Sequence, residues 1–342
     1  MKKTLLSALV AVLGFATQAT AQSSITATLI HDNDIKTFYG ESALRQAHSA
    51  ATHGDVITLS SGTFTSTNIT KAITLRGAGM EYDSLTTTEP TIIEGNFSVT
   101  MPHDSIRIGK SLNMEGIYFD DSKITFGYFT RNPQFIKCRF YNIGRTSNNT
   151  INYGLNDATF INCIISYELM IQLFCSATLI NSYVSDVTFY DNNSSAYIEC
   201  LNCVIRCNPK YIYRGILRNC YVFAEDLAYS LPSTTLTYNC ISNSSNIFNN
   251  QMGLTNRVVG ASFVFKTWTG KKLNNFKNER LELTDEAKTK YLGTDGTEVG
   301  IYGGSLPFEA RISNPQITKL NVASKSTADG KLSVDIEVKA AE

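Results

Sequence analysis

Phe160-Ile161-Asn162-Cys163-Ile164-Ile165 is one copy of a phrase that returns through the middle of the chain. Phe135-Ile136-Lys137-Cys138-Arg139-Phe140 precedes it. Leu179-Ile180-Asn181-Ser182-Tyr183-Val184, Cys200-Leu201-Asn202-Cys203-Val204-Ile205, Leu217-Arg218-Asn219-Cys220-Tyr221-Val222 and Thr237-Tyr238-Asn239-Cys240-Ile241 follow. The Cys position, occupied once by Ser182, recurs at intervals of 25, 19, 21, 17 and 20 residues. A loose period near 20 residues signals a solenoid, in which each repeat forms one turn and stacks on its neighbours.

The apolar members are Phe, Ile, Val, Leu and Tyr, and between the copies lie turn-forming runs such as Arg145-Thr146-Ser147-Asn148-Asn149 and Asp191-Asn192-Asn193-Ser194-Ser195. These are strand and turn signals. A 20-residue period holds two or three short strands, so the expected architecture is all-β: a parallel β-helix with equivalent positions about 4.8 Å apart. In such a stack a recurring Asn can bond its amide to the Asn above and below. The neighbouring Cys is a small filler for a narrow core. Ile73-Thr74-Leu75-Arg76-Gly77, Ile92-Ile93-Glu94-Gly95 and Leu112-Asn113-Met114-Glu115-Gly116-Ile117-Tyr118-Phe119 keep the period with Gly at the Cys position. The register therefore predicts roughly nine coils between about residue 56 and about residue 250.

Around this centre the chain reads in four parts: 1–21, 22–62, 63–265 and 266–342. Residues 1–21 have the form of a secretory signal. Lys2 and Lys3 begin it, Leu5 to Phe15 form the apolar run, and Ala19-Thr20-Ala21 is the small-residue cleavage site. The expected location is outside the cytoplasm: periplasmic, cell-surface or extracellular, without membrane insertion once the signal is removed. Ile25 to Ile30 alternate as a strand, and Leu44, Ala47 and Ala51 share one face of a short helix that begins at Ser42 and ends by Gly54. The charged stretch after Lys266 includes Leu281 to Lys288, read as strand then short helix. Two alternating runs around Ala328-Asp329-Gly330 form a terminal β-hairpin cap.

The succession of helix, Asp55-Val56-Ile57-Thr58-Leu59, Ser61-Gly62-Thr63-Phe64 and Ile73-Thr74-Leu75-Arg76-Gly77-Ala78-Gly79 resembles the N-terminal entry of right-handed parallel β-helix proteins of the pectin-lyase-like superfamily. The ending, Gly300-Ile301-Tyr302-Gly303-Gly304 followed by a hairpin, resembles uncharacterised secreted β-helix proteins of Bacteroidetes. The first resemblance implies that the helix plugs the open end of the core. It also makes enzymes acting on uronate polysaccharides the nearest functional analogues.

The residues offer little of that chemistry. Polygalacturonase-like hydrolases carry clustered Asp residues, a His-Gly and an Arg-x-Lys; here there is Asp120-Asp121 alone, read as a solvated loop. The Asp clusters that hold calcium in pectate lyases and their Arg-x-Pro-x-x-Arg are absent, so Ca²⁺ is expected only if the protein is a lyase; otherwise neither cofactor nor metal is expected. The four His residues, at 31, 48, 53 and 103, all precede the regular coils. Cys200 and Cys203 are spaced as C-x-x-C, but period-2 alternation places them on opposite faces of a strand. The ladder cysteines are expected as buried, reduced thiols, because stacked side chains have the wrong Cβ directions for a disulfide.

Thirty Lys and Arg balance thirty Asp and Glu, and charged residues make up 18% of the chain against an average of about 25%. No basic stripe exists, which argues against nucleic acid as a partner. A polysaccharide or a surface protein fits better. The candidate binding residues are Arg206, Lys210, Tyr211, Tyr213 and Arg214, a basic and aromatic stretch between two coils, where Tyr rings can stack on sugars and cations can meet carboxylates. The expected function is a non-catalytic secreted or cell-surface β-helix that binds glycan or protein or serves as a scaffold; the alternative is a polysaccharide lyase or another enzyme acting on uronate-containing polysaccharide.

Overall fold

The computed structural model describes residues 25–101, 109–127, 130–145, 155–171, 175–189, 195–207, 212–228, 230–248, 255–269, 273, 276, 279–312, 316–322, 329–331 and 333–339. The expected signal peptide, His103, Lys210 and Tyr211 lie outside these residues.

The phrase that repeats is strand, corner, strand. Phe160-Ile161 ends the strand Ala158–Ile161 of one sheet, Asn162 turns the chain, and Ile164–Ile171 runs in a second sheet. Among the described residues the first sheet has eleven strands and the second twelve. Apart from an antiparallel N-terminal pair, successive coils join in parallel register, as in Phe135↔Phe160, Phe160↔Leu179, Leu179↔Cys200 and Cys200↔Leu217. The protein is therefore an all-β parallel solenoid.

Seven corners share one geometry. Gly116, Lys137, Asn162, Asn181, Asn202, Asn219 and Asn239 all have φ between +46° and +65°. Asn tolerates this left-handed region better than other side-chain-bearing residues, which explains its recurrence. These corners define about seven regular turns, fewer than the nine coils counted from the spacing. The rungs at Val56–Leu59 and Thr74–Arg76 belong to the parallel ladder but reach the second sheet by other routes, through Ser60-Ser61 and through the loop 77–90.

The corner also resets which way side chains point. Cys200 faces the core before the corner at Asn202, and Cys203 faces it again afterwards. Both thiols are thus fully buried in one core, contrary to simple alternation, because a left-handed residue interrupts the strand period. Cys138, Cys163, Cys175, Cys200, Cys203, Cys220 and Cys240 are all buried. Each ladder thiol hydrogen-bonds carbonyls on two rungs, as Cys163 does to Ile161 at 3.4 Å and Phe135 at 3.3 Å. Inside the coils Phe135 stacks on Phe160 at 4.8 Å and Phe119 on Phe140 at 4.9 Å.

At the N-terminal end the helix Ala43–Ala50 lays Ala43, Leu44 and Ala47 on the open core, and these join one buried cluster with Ile57, Phe64 and Ile73. Ser42 occupies the N-cap position without a capping hydrogen bond; its hydroxyl accepts instead from Gln46 at 2.9 Å. Asp120 and Asp121 lie within the nine-residue strand Tyr118–Phe126 rather than in a loop, at a register shift that turns Asp121 to φ +42°.

A second apolar cluster lies outside the coils. Two residues after each corner from Asn162 onward, one residue points away from the core: Ile164, Tyr183, Val204, Tyr221 and Ile241, aligned in register. The described residues between 256 and 312 form a strap over this column and cover it with Val264, Phe265, Leu281, Leu283, Val299 and Ile301, among others. A short helix, Asp285–Lys290, is capped by Thr284, whose hydroxyl accepts from the Ala287 amide. Beyond the strap, Gln316–Val322 pairs antiparallel with Val334–Lys339 as the expected terminal hairpin.

The Asn side chains serve this strap more than one another. Asn239 does donate to Asn219 at 3.2 Å, but it also donates to the Leu292 carbonyl at 2.7 Å. Asn162 donates to the Pro307 carbonyl and Asn181 to those of Ile301 and Gly303. Left-handed corners turn their side chains outward, so the strap's carbonyls are the nearer acceptors.

Candidate functional site

Arg206 ends up inside the structure. It sits on the strand Val204–Cys207, is 7% exposed, pairs with Glu225 at 3.1 Å and lies over the Phe223 ring. Tyr213 is half-buried against the main core, with its ring 6.3 Å from that of Phe189. Arg214 is exposed and immediately precedes the strand Gly215–Arg218 of the first sheet, whereas Arg206 belongs to the second. The two arginines thus stand on different sheets, at either end of the segment that contains Lys210 and Tyr211.

A concave feature of the described surface lies elsewhere. A cleft of about 670 Å³ opens between the loop 78–88 and the strap, and its walls include Glu81, Tyr82, Asp83, Arg280, Tyr302 and Arg311. The loop wall is stiffened by its own polar groups. Asp83 and Thr88 exchange backbone hydrogen bonds at 3.0 and 3.2 Å. The Asp83 carboxylate accepts from the Leu85 amide and the Thr86 hydroxyl, and Thr86 meets the Thr88 hydroxyl at 2.8 Å. The loop leaves the coil at Gly77, where an added Cβ would overlap the Gly116 carbonyl oxygen, so only glycine lets the two corners approach.

The strap wall is fixed as firmly. Tyr302 donates its hydroxyl to the Arg280 carbonyl at 2.8 Å. The Arg311 guanidinium grips Glu309 through two hydrogen bonds, at 3.2 and 2.9 Å, its backbone amide adds a third at 2.9 Å, and Lys137 donates to the Arg311 carbonyl. Burial alone would raise the Glu309 carboxyl, but the Arg311 hydrogen bonds outweigh it and hold the group below the usual range. Phe276 and Phe308, largely buried, also line the cleft, with their ring centroids 4.8 Å apart.

Glu81 stands half-buried on the loop wall. Burial raises its pKa, while the charges of Arg139 and Arg280 pull in the opposite direction. Arg139 itself lies over the Tyr118 ring at 4.5 Å. Burial also raises the Tyr302 phenol, with Glu282 adding to the effect. The site is therefore polar and rich in hydroxyls, with an exposed Tyr82 ring at its mouth and the Arg280 guanidinium on the opposite wall. Such a lining suits a hydroxyl-bearing ligand held by hydrogen bonds and ring stacking.

Gly79 and Tyr302 belong to stretches notable in the sequence for their glycines, but nothing local indicates that they converge across more than 200 residues. Comparison of the chain with protein-family models, with curated proteins and with solved structures finds no match.

Proposed function

We propose that the protein is an exported β-helix, secreted or held at the cell surface, that binds saccharide in the cleft between the loop 78–88 and the strap without transforming it. The observation that carries this reading is the cleft lining: the Tyr82 and Tyr302 rings, the hydroxyls of Ser84, Thr86 and Thr88, and the Arg280 guanidinium, all on one concavity. Sugars present apolar ring faces edged by hydroxyls, and this mixture of aromatic and hydrogen-bonding groups complements them. The internally paired carboxylates Asp83 and Glu309 support walls that are set before ligand arrives, which limits the ordering cost of binding.

The test is a glycan array followed by calorimetry on the mature chain, with Tyr82→Ala and Arg280→Ala as variants. Saccharide binding weakened about tenfold or more in each variant supports the reading. Binding unchanged in both places the ligand elsewhere, with Arg206, Tyr213 and Arg214 the next residues to substitute. Incubation with uronate polysaccharides and calcium addresses the enzymatic alternative: growth of unsaturated-uronate absorbance, lost in Arg280→Ala, would replace a binding protein with a polysaccharide lyase.

A further inference from the structure

The three described histidines all lie in the N-terminal cap, and two of them hold the same edge of the coil. His48, in the last turn of the capping helix, is 6% exposed, and its Nε2 accepts from the Thr70 amide at 3.2 Å. His53 Nδ1 accepts from the Ala72 amide at 3.0 Å. Between them Lys71 donates to the carbonyls of His48 and Ser49, at 2.6 and 3.0 Å. The N–H groups of Thr70 and Ala72 thus end on imidazole nitrogens rather than on backbone carbonyls. An imidazole accepts at a ring nitrogen only while that nitrogen carries no proton.

We propose that the cap is an acid-opened closure, in which protonation of His48 and His53 releases the helix end from Thr70–Ala72 while the β-helix beyond it stays folded. On protonation each acceptor becomes a donor facing another donor, and the amides lose their partners. The charged groups facing this junction favour the same sign. Lys71 lies against His48 from the coil side, and Lys110 packs its ammonium beside Gly54. His31 works oppositely: its Nδ1 is 2.7 Å from the Asp55 carboxylate, with Asp32 and Asp34 nearby, so protonation strengthens that contact. The strand side of the cap therefore persists while the helix side lets go.

Burial and the Lys71 charge hold the His48 imidazole at about 4, below its ordinary 6.5. A lowered folded-state value means that the open state takes up the proton first. Closure is at full strength above the ordinary histidine value and weakens as pH falls from there toward the folded value. Leu44, Ala47 and Ala51, which seal the core end, would then meet water.

Hydrogen exchange followed by mass spectrometry tests this on the full chain at about pH 7 and about pH 4.5, corrected for the intrinsic rate. Amides within 43–55 and 69–74 should lose protection by at least about tenfold at the lower pH, while those of 198–206 and 215–222 keep theirs. The variant His48→Gln with His53→Asn places an untitratable amide oxygen where each ring nitrogen accepted, and it should hold the cap closed in acid. Equal protection of wild-type cap and coil at both pH values would overturn the proposal, as would a double variant that opens like the wild type. Should that variant fail to fold, nuclear magnetic resonance titration of wild-type His48 decides: an ordinary value in the native protein overturns it, and a depressed value tracking cap exchange supports it.

Discussion

The side-chain amide of Asn181 donates to two carbonyls of the returning strap, those of Ile301 at 2.8 Å and Gly303 at 2.6 Å. One corner of the solenoid thereby fixes a segment 120 residues further along the chain. The same Asn holds φ +46°, so its side chain answers two requirements, a left-handed corner and a donor for the strap. Two substitutions separate them. Asn181→Gly keeps the corner and removes the donor, and should cost about 2 kcal/mol: the Gly303 carbonyl loses the Asn181 amide, and the Ile301 carbonyl keeps only the Phe308 amide. Asn181→Ala adds about 1–2 kcal/mol for placing a Cβ in the left-handed region. Denaturant midpoints of the two variants give the comparison, and equal losses would show that the corner conformation carries no strain.

Gly304 should be hard to replace. Its φ is +76°, and a methyl there would overlap the Nδ2 of Asn202. Gly304→Ala is expected to destabilise strap docking by about 2–4 kcal/mol. Limited proteolysis should then cut within 280–305 well before the coils are attacked. A strap as resistant as that of the wild type would mean the backbone adjusts freely at this contact.

The cysteine ladder predicts silent thiols. Burial pushes Cys163 up to about 12, and raises Cys138, Cys203, Cys220 and Cys240 well above the ordinary thiol value. The thiolate is the reactive form, so these groups should resist alkylation at neutral pH until the protein unfolds. Ser182 already fills one ladder position and donates to the Ile180 carbonyl at 2.8 Å. Cys163→Ser should therefore cost only about 1 kcal/mol, because the acceptors that served the thiol are still in place. Cys163→Val, which adds bulk and removes the donor, should cost more.

Glu81 gives the cleft a pH signature. Its carboxyl is raised by burial, so the folded state takes up the proton more readily than the unfolded one, and the charged form is a burden on the fold. That burden is fully present above the folded pKa and is relieved as pH falls toward the unfolded value. Glu81→Gln should therefore raise the thermal midpoint most at pH above neutral, with the gain shrinking in acid. A gain independent of pH would assign the effect to packing instead.

The repeat was readable because a solenoid places chemically equivalent positions at a near-constant interval. Phe135, Phe160 and Leu179 stack inward since each must fill the same narrow core, and selection for that environment prints a period on the chain. The capping helix and the terminal hairpin were legible for a similarly local reason, amphipathic spacing and an Asp-Gly turn. Alternation failed at Cys200 and Cys203 because the rule assumes a continuous strand, and Asn202 breaks it. The Asn ladder was visible, but its partners were not, since the carbonyls of Ile301, Gly303 and Leu292 carry no side-chain signature.

The sequence alone determined the all-β solenoid, the positions of its corners and the filling of its core, because these depend on residues near one another in the chain or one period apart. Only the tertiary structure decided that 256–312 folds back over the column Ile164, Tyr183, Val204, Tyr221 and Ile241, and that Glu81 and Tyr82 face Arg280 and Tyr302 across a cleft. Within a sequence the outward apolar residues of the second sheet look like any other strand residues. What covers them is a long-range contact between irregular segments, held by apolar burial and backbone carbonyls, and neither has a periodicity to read.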